Sequence, residues 1–150
     1  MVGAGLFAQG TLLPVLKKIK GINLRGISTV TGTKARHTGE KYGFEYISSD
    51  YKEILFDKDI DLVLILTRHG SHAKLVCETL KAKKHVFVEK PLCLNENELN
   101  EIVDTINHEL SAMSAPWNAE PIPMGSHQPV LMVGFNRRFS PYAQWIKEHF

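Results

Sequence analysis

The chain has 150 residues, of which 43% are hydrophobic and 23% charged, a balance typical of one water-soluble globular domain. Its net charge of +2 comes from 18 basic and 16 acidic residues without a block of one sign, which argues against nucleic acid or an anionic membrane as the main partner. No apolar run approaches the ~20 residues of a membrane span, and we expect a cytoplasmic protein.

Apolar runs alternate with helical patterns along the chain. Apolar spacing predicts helices over 11–20, 35–42, 51–57, 71–82 and 95–110, and apolar or β-branched runs predict strands over 22–30, 44–47, 60–67, 85–89 and 129–135. Gly21 and Gly43 are expected to end the first two helices, and Ser48, Ser49 or Asp50 to cap the third. This order predicts an α/β fold, a doubly wound, Rossmann-type parallel sheet with helices on both faces.

One stretch interrupts the alternation. Residues 111–128, "SAMSAPWNAEPIPMGSHQ", contain three prolines and little apolar periodicity, where a short connection between a helix and a strand is expected. We interpret this stretch as a surface loop.

The chain opens on a glycine-rich turn, "GAGLFA", in which Gly3, Gly5 and Ala8 form a G-x-G-x-x-A pattern before a helix. The first glycine allows the turn, the second leaves room for a pyrophosphate, and a small third residue lets helix and strand pack closely. The amides at the helix start, including those of Leu6 and Phe7, then face the phosphates. The pattern predicts a dinucleotide site.

The strand that normally precedes this motif is largely missing, since only Met1 and Val2 stand before Gly3. That strand is central in the usual strand order, and its loss exposes the edges of both neighbours. We expect either a fragment or a start assigned too late, and poor stability of the isolated chain.

The choice of cofactor is expected to show at the end of the strand 22–30. An acid there commonly binds the adenosine 2′-hydroxyl, but "TVTGTKARH" contains none. Thr31, Thr33, Lys34 and Arg36 could instead accept a 2′-phosphate, which favours NADP slightly over NAD. The alternative is a basic, solvated turn.

A lysine follows the apolar run in "VFVEKPL". Lys90 stands where a parallel strand ends, the edge at which such sheets bind ligands, and it could take a proton from a substrate hydroxyl or polarise a carbonyl. Pro91 restricts the backbone of Lys90 and is compatible with a cis peptide bond. The alternative is a solvated charge that closes the strand.

No metal site is predicted. His69 and His72 are three residues apart, but the sequence offers them no evident third ligand.

Three segments in order carry a family resemblance, namely "GAGLFA", "LILTRHGSHAKLVCETLKAKKHVFVEKPL" and "VGFNRRFSP". The chain resembles the Gfo/Idh/MocA oxidoreductases, and in "TRH" and "GFNRRFSP" the branch often fused to a zinc-type alcohol dehydrogenase-like domain. The resemblance implies NAD(P)-dependent oxidation or reduction of a sugar, polyol or related carbohydrate. It assigns residues 1–139 to the cofactor domain and 140–150 to the start of a substrate domain that this chain lacks.

The resemblance also implies roles for individual residues. Glu89, Lys90 and Pro91 match a Glu-Lys-Pro signature in which the lysine lies by the nicotinamide and the substrate hydroxyl, and the glutamate helps place the nicotinamide ribose. Positions expected to border the cofactor are Thr67, Arg68, His69 and His72 after the strand 60–67, and Asn136 and Arg138 after the last strand. Arg68 and His69 depart from the more usual Pro-Asn.

Two other functions remain open at this stage, because the substrate half is absent and enzymatic activity is therefore uncertain. The chain could be a non-catalytic dinucleotide-binding or regulatory module, or an inactive gene fragment. A homo-oligomer is compatible with either.

Overall fold

The structure, a computed structural model, describes residues 1–111 and 128–149. It contains a parallel sheet of short strands, β1 (Gly26–Ser28), β2 (Tyr46–Ser48), β3 (Leu62–Ile65), β4 (His85–Val88) and β5 (Leu131–Val133). The helices are α1 (Leu13–Leu16), α2 (Gly32–Tyr42), α3 (Tyr51–Phe56), α4 (His72–Lys81), α5 (Glu96–Ser111) and α6 (Pro141–His149). Among these helices, none has the length and apolar character that crossing a bilayer requires.

The first three residues join the two halves of the sheet. Val2 forms parallel bridges to Ser28 of β1 and Ile65 of β3, and its amide donates to the carbonyl of Leu64 at 2.8 Å. The strand order is therefore β2, β1, residues 1–3, β3, β4 and β5. Successive connections run to opposite sides of residues 1–3, which makes their carboxyl edge the topological switch point of a Rossmann-type fold. This confirms the predicted fold class.

Residues 1–3 pair with β1 from Gly26 to Ser28, but only with the carboxyl end of β3. Toward the amino edge of the sheet, β1 and β3 border a cavity of about 280 Å³, lined among others by Leu24, Phe44, Leu62 and Leu64. The backbone nitrogen of Met1 lies at the end of this cavity and donates to the carbonyl of Gly26 at 2.6 Å. The opening is therefore limited to the start of β3 and the residues before β1, whereas β1 itself is paired.

Helices cover both faces of the sheet because side chains alternate along the strands. Val63 and Ile65 of β3 are fully buried on the face covered by α3, α4 and α5. Leu64, between them, packs on the opposite face with Leu13 of α1 and Ile27 of β1. Each fully buried side chain of this size contributes ~1.5–3 kcal/mol of burial free energy.

The first helix differs most from its prediction. A π-helical turn, Ala8–Leu12, runs into α1, which ends at Leu16 rather than near residue 20. Pro14 has no amide hydrogen to donate to a preceding turn, and the helix widens just before it, with the amide of Leu13 donating to the carbonyl of Ala8.

Several other helices and strands differ from their predictions, either in their boundaries or in the residues that they bury. The predicted strand 22–30 is reduced to β1, and α2 begins at Gly32 instead of residue 35. Along α5, Leu99 and Val103 are 42% and 44% exposed, whereas Ile102 is buried, so the buried face of the helix is narrower than its apolar spacing predicts. Of the predicted loop 111–128, residues 112–127 lie outside the described residues.

Two predicted helix boundaries are confirmed. Gly43 ends α2 in the left-handed region, with φ of 79° and its amide donating to the carbonyl of Gly39. Asp50, one of three candidates, caps α3 by accepting a hydrogen bond from the amide of Lys52 at 2.9 Å.

Candidate cofactor-binding site

A cleft of about 680 Å³ opens at the carboxyl edge of the sheet, at the switch point. Its volume lies in the range common for small-molecule and cofactor sites. Four of the residues predicted to bind cofactor line it: Gly3, Gly5, Thr67 and Arg68. The described lining contains the cations Arg68 and Lys74 and no carboxylate, so it suits a ligand that carries phosphate.

The glycine turn is built as its pattern requires. Gly3 has φ of +95°, and a Cβ there would lie 2.5 Å from the carbonyl oxygen of Leu66, so the position excludes any side chain. A Cβ on Gly5 would meet nothing within 4 Å, because the residue faces the open cleft. Ala8 is 1% exposed and packs in the cluster that contains Leu13.

Two contacts hold this turn from outside the cleft. The side-chain amide of Gln9 donates to the carbonyl of Ala4 at 2.8 Å, and the hydroxyl of Tyr42 donates to the carbonyl of Gln9 at 2.6 Å. Leu6 is 93% exposed, and neither Leu6 nor Phe7 lines the cleft. The binding of phosphate by their backbone amides remains a prediction.

The end of β1 borders the cleft through Thr29 and Val30, two residues that sequence reasoning did not select. Thr31 and Thr33 are exposed beyond them, and the hydroxyl of Thr29 donates to the carbonyl of Thr31 at 2.7 Å. The side chain of Lys34 lies outside what the structure describes. This edge presents hydroxyls rather than an acid to a ligand.

The loop after β3 is held by its own serine and threonine. The hydroxyls of Thr67 and Ser71 are 2.7 Å apart, and Ser71 Oγ also donates to the carbonyl of Arg68 at 2.9 Å. A short 3₁₀ turn, His69–Ser71, leads into α4, with His69 exposed outside the cleft. Arg68 is thereby presented at the wall of the cleft.

His72 connects this loop to the Glu-Lys-Pro segment. Its side chain is fully buried, with Nδ1 2.7 Å from the carbonyl oxygen of Pro91 and Nε2 3.2 Å from that of Thr67. Both ring nitrogens are thus engaged with backbone inside the protein. The structure places His72 behind the wall of the site, where it can act on a ligand only through the two segments that it joins.

The Glu-Lys-Pro segment lies at the carboxyl end of β4. The amide of Glu89 continues the sheet by donating to the carbonyl of Ile65 at 3.0 Å, and the peptide bond between Lys90 and Pro91 is cis. Lys90 is exposed, and its backbone amide donates to Glu89 Oε2 at 3.2 Å. The side chain of His72 contacts both this segment and the loop that lines the cleft.

The segment after β5 forms a 3₁₀ turn, Asn136–Phe139, that follows the neighbouring strand. Asn136 is exposed in it, whereas the side chain of Arg138 lies outside what the structure describes. Asn136 does not line the cleft of about 680 Å³. Their predicted contact with the nicotinamide side of a cofactor remains a prediction.

Sequence reasoning missed the far wall of the cleft. Ser49 and Tyr51 follow β2, and Lys74 and Leu75 lie in the first turn of α4. Burial, together with a hydrogen bond to Glu78, raises the pKa of Tyr51 and keeps its phenol protonated. The signal that could have found these residues is their position directly after a strand or at a helix start on the ligand edge.

The two neighbouring histidines do not form a metal site with other described side chains. The rings of His69 and His72 are 5.7 Å apart and nearly perpendicular. Within residues 1–111 and 128–149, no three potential ligands of the histidine, cysteine, aspartate and glutamate type gather around a common point.

A family model described as an oxidoreductase family with an NAD-binding Rossmann fold matches residues 1–114. The chain is 30% identical over 147 residues to the oxidoreductase YrbE of Bacillus subtilis, covering 98% of the chain and 38% of that protein. It is 32% identical over 133 residues to a myo-inositol 2-dehydrogenase of Thermotoga maritima, covering 89% of the chain and 34% of that protein. The chain thus spans little more than a third of the length of these relatives.

Solved structures agree with this match. The crystal structure of a probable dehydrogenase from Thermotoga maritima superposes with a TM-score of 0.76 at 31% identity, covering 98% of this chain and 38% of that one. The scyllo-inositol dehydrogenase of Lactobacillus casei gives a TM-score of 0.80 at 23% identity, over 98% of this chain and 39% of that one. At that identity the second comparison supports the fold alone.

Proposed function

The chain belongs to the Gfo/Idh/MocA oxidoreductase family, which has an NAD-binding Rossmann fold, and we propose that it forms the dinucleotide-binding part of a carbohydrate dehydrogenase. The observation that carries this proposal is the cleft of about 680 Å³ at the switch point of the sheet. Gly3 and Gly5 leave space there for a pyrophosphate, and Arg68 supplies charge. The described residues therefore fit a dinucleotide.

The cofactor is NAD or NADP, with a slight preference for NADP. Support comes from the end of β1, where Thr29, Thr31 and Thr33 stand in place of an acid that would repel a 2′-phosphate. Arg68 and Lys74 add positive charge to the same cleft. A dinucleotide bound here supplies the hydride donor or acceptor.

Lys90 is proposed as the group that moves a proton or polarises a carbonyl. It is exposed at the carboxyl end of β4, and the amide of Lys90 is held by the carboxylate of Glu89. An ammonium can hydrogen-bond a carbonyl oxygen, and an amine can accept the proton of a hydroxyl.

The substrate is proposed to be a sugar, polyol or related carbohydrate. This rests on the 32% identity to a myo-inositol 2-dehydrogenase. Residues 1–139 would form the cofactor domain and residues 140–150 the start of a substrate domain. The segments "TRH" and "GFNRRFSP" support the branch that is often fused to a zinc-type alcohol dehydrogenase-like domain. A cytoplasmic homo-oligomer without nucleic acid or membrane partners would fit this function.

Binding of NADPH and NADH to the purified chain tests the cofactor proposal. We expect saturable binding of both by nicotinamide fluorescence, tighter for NADPH, and weaker binding of both to Gly5→Val, whose side chain enters the cleft. Gly10→Ala is the matched control, because a Cβ there meets nothing within 4 Å and the residue does not line the cleft. Absence of saturable binding to the folded chain would refute the proposal.

Lys90→Ala tests the catalytic role in a protein that joins this domain to a substrate domain. Turnover of a polyol is expected to fall by at least about a hundredfold, with the NADPH dissociation constant changed by less than about threefold. Lys58→Ala provides an exposed control at a position that does not line the cleft. Unchanged turnover in Lys90→Ala would favour a binding module in which the lysine is a solvated charge.

A further inference from the structure

Gly134 lies directly against Glu89. It follows β5, and its amide donates to the carbonyl of Val88 at 2.8 Å, one residue before Glu89. A Cβ built on Gly134 would lie 2.7 Å from Glu89 Oε1 and 3.2 Å from Glu89 Cδ. The carboxylate therefore occupies the space in which any other residue at position 134 would carry its side chain.

In this position the carboxylate of Glu89 lies against the backbone of its own segment. Glu89 Oε2 accepts the backbone amide of Lys90 at 3.2 Å, while Oε1 is buried and accepts no hydrogen bond from any described residue. A buried carboxylate oxygen without a donor is unfavourable by itself. Oε1 of Glu89 takes this position because Gly134 leaves room for it, although the oxygen lacks a full set of hydrogen bonds.

We propose that Gly134 is a positioning residue for the nicotinamide end of the site, acting through the carboxylate of Glu89. This inference rests on the proposed dinucleotide function and adds a determinant on a different strand from the Glu-Lys-Pro segment. Without a side chain at position 134, the carboxylate can lie over β5 and hold the amide of Lys90. With a side chain there, the carboxylate must swing outward toward the space that the ligand needs.

The steric conflict is confined to movable groups, which makes Gly134→Ala a useful probe. The atoms nearest to the added Cβ are the end of the Glu89 side chain and, at 3.0 Å, Cζ of Phe87. By contrast, a Cβ on Gly3 would meet backbone atoms of Leu66 and Thr67 within 2.9 Å. Gly134→Ala is therefore expected to move the carboxylate of Glu89 while the domain stays folded.

The test compares a whole dinucleotide with its adenine half. For Gly134→Ala, the dissociation constant of NADPH is expected to rise about tenfold, the effect of losing one hydrogen bond to a charged group. That of 2′-phospho-ADP-ribose, which lacks nicotinamide, is expected to stay within about twofold. Gly39→Ala is the matched control, because its Cβ would meet Ile47 Cγ1 at 2.6 Å, and neither residue lines the cleft.

A double-mutant cycle identifies the path of the effect. In a Glu89→Ala background, Gly134→Ala is expected to cause no further loss of NADPH affinity, because the displaced group is gone. If circular dichroism shows that Gly134→Ala does not fold, Glu89→Asp replaces it in the test, because the shorter side chain of aspartate cannot reach over Gly134. The same loss, selective for NADPH, is expected.

Three outcomes would overturn the inference. The first is an unchanged NADPH dissociation constant in folded Gly134→Ala, or in Glu89→Asp where Gly134→Ala does not fold. The second is an equal loss of affinity for both ligands. The third is that the losses of NADPH affinity from Gly134→Ala and Glu89→Ala add. If the unaltered folded chain binds neither ligand, the proposed function itself fails and this inference fails with it. If the unaltered chain binds both and Gly134→Ala alters neither constant, the inference fails alone.

Discussion

His72 Nδ1 lies 2.7 Å from the carbonyl oxygen of Pro91, nineteen residues away in the chain. The same ring reaches the carbonyl oxygen of Thr67 at 3.2 Å, so one buried side chain ties the loop of the cleft to the segment of Lys90. The two predicted parts of the site are thus fixed relative to each other from inside the protein.

Replacing His72 should therefore loosen both parts. We expect His72→Phe, which keeps an aromatic ring but removes the contacts of the ring nitrogens with the carbonyls of Pro91 and Thr67, to lower the free energy of unfolding by ~1–3 kcal/mol in urea titrations. NADPH binding should weaken as well. His69→Phe is the control, because that side chain is exposed and its loss should change stability by less than ~0.5 kcal/mol. Equal effects of the two substitutions would contradict the connecting role of His72.

The two glycines of the first turn should separate folding from binding. Gly3→Ala places a Cβ 2.5 Å from a backbone oxygen at φ of +95°, and we expect a loss of at least ~3 kcal/mol in the free energy of unfolding. Gly5→Ala meets no atom within 4 Å, so its stability should change by less than ~1 kcal/mol while NADPH binding weakens. Urea titration and nicotinamide fluorescence measure the two effects. A stable Gly3→Ala would contradict the close approach to Leu66.

Stability at acid pH should depend on Arg25, at the sheet edge opposite the cleft. Its Nε donates to Asp57 Oδ2 at 2.8 Å, and this bond holds the pKa of the Asp57 carboxyl below its ordinary value of 3.8. A carboxyl with a lower pKa in the folded state binds fewer protons when folded, so it stabilises the protein above the ordinary value. That stabilisation is lost as the pH falls through the folded pKa.

Urea titrations from pH 6 to pH 3 check this sign. The original chain should lose more stability below about pH 5 than Arg25→Met, in which the carboxyl lacks the partner that lowers its pKa most. Arg36→Met is the control, since Arg36 makes only a 3.9 Å contact with Glu40 between exposed side chains. A steeper acid loss in Arg25→Met than in the original chain would refute the role of this pair.

Lys74 should contribute charge to dinucleotide binding. It lines the cleft, its side chain is exposed, and its Nζ lies 3.8 Å from Oε1 of Glu78. Lys74→Met is expected to weaken NADPH binding about threefold at low salt and to change it little at high salt, because an exposed charge is screened. Lys52→Met, on α3 and outside the described lining, should have no such effect. Equal losses from both would indicate a general effect of net charge.

The sequence by itself determined the order of the elements and the edge at which the site lies. Alternating apolar runs and helical patterns require a doubly wound sheet, and Gly3, Gly5 and Lys90 each stand where a strand ends. Local rules also identified the cap at Asp50 and the stop at Gly43. These features depend on residues near each other in the chain, which is why patterns and spacing are sufficient.

Tertiary structure alone decided which distant residues share one wall. Tyr51 and Lys74 meet in the cleft, His72 turns inward to hold Pro91, and Gly134 leaves its space to Glu89. None of these relationships has a local pattern, because each arises when two strands or helices far apart in the chain pack side by side. The sequence predicted the edge of the sheet at which the cleft opens, and packing decided which side chains line the cleft and which ones lie behind its wall.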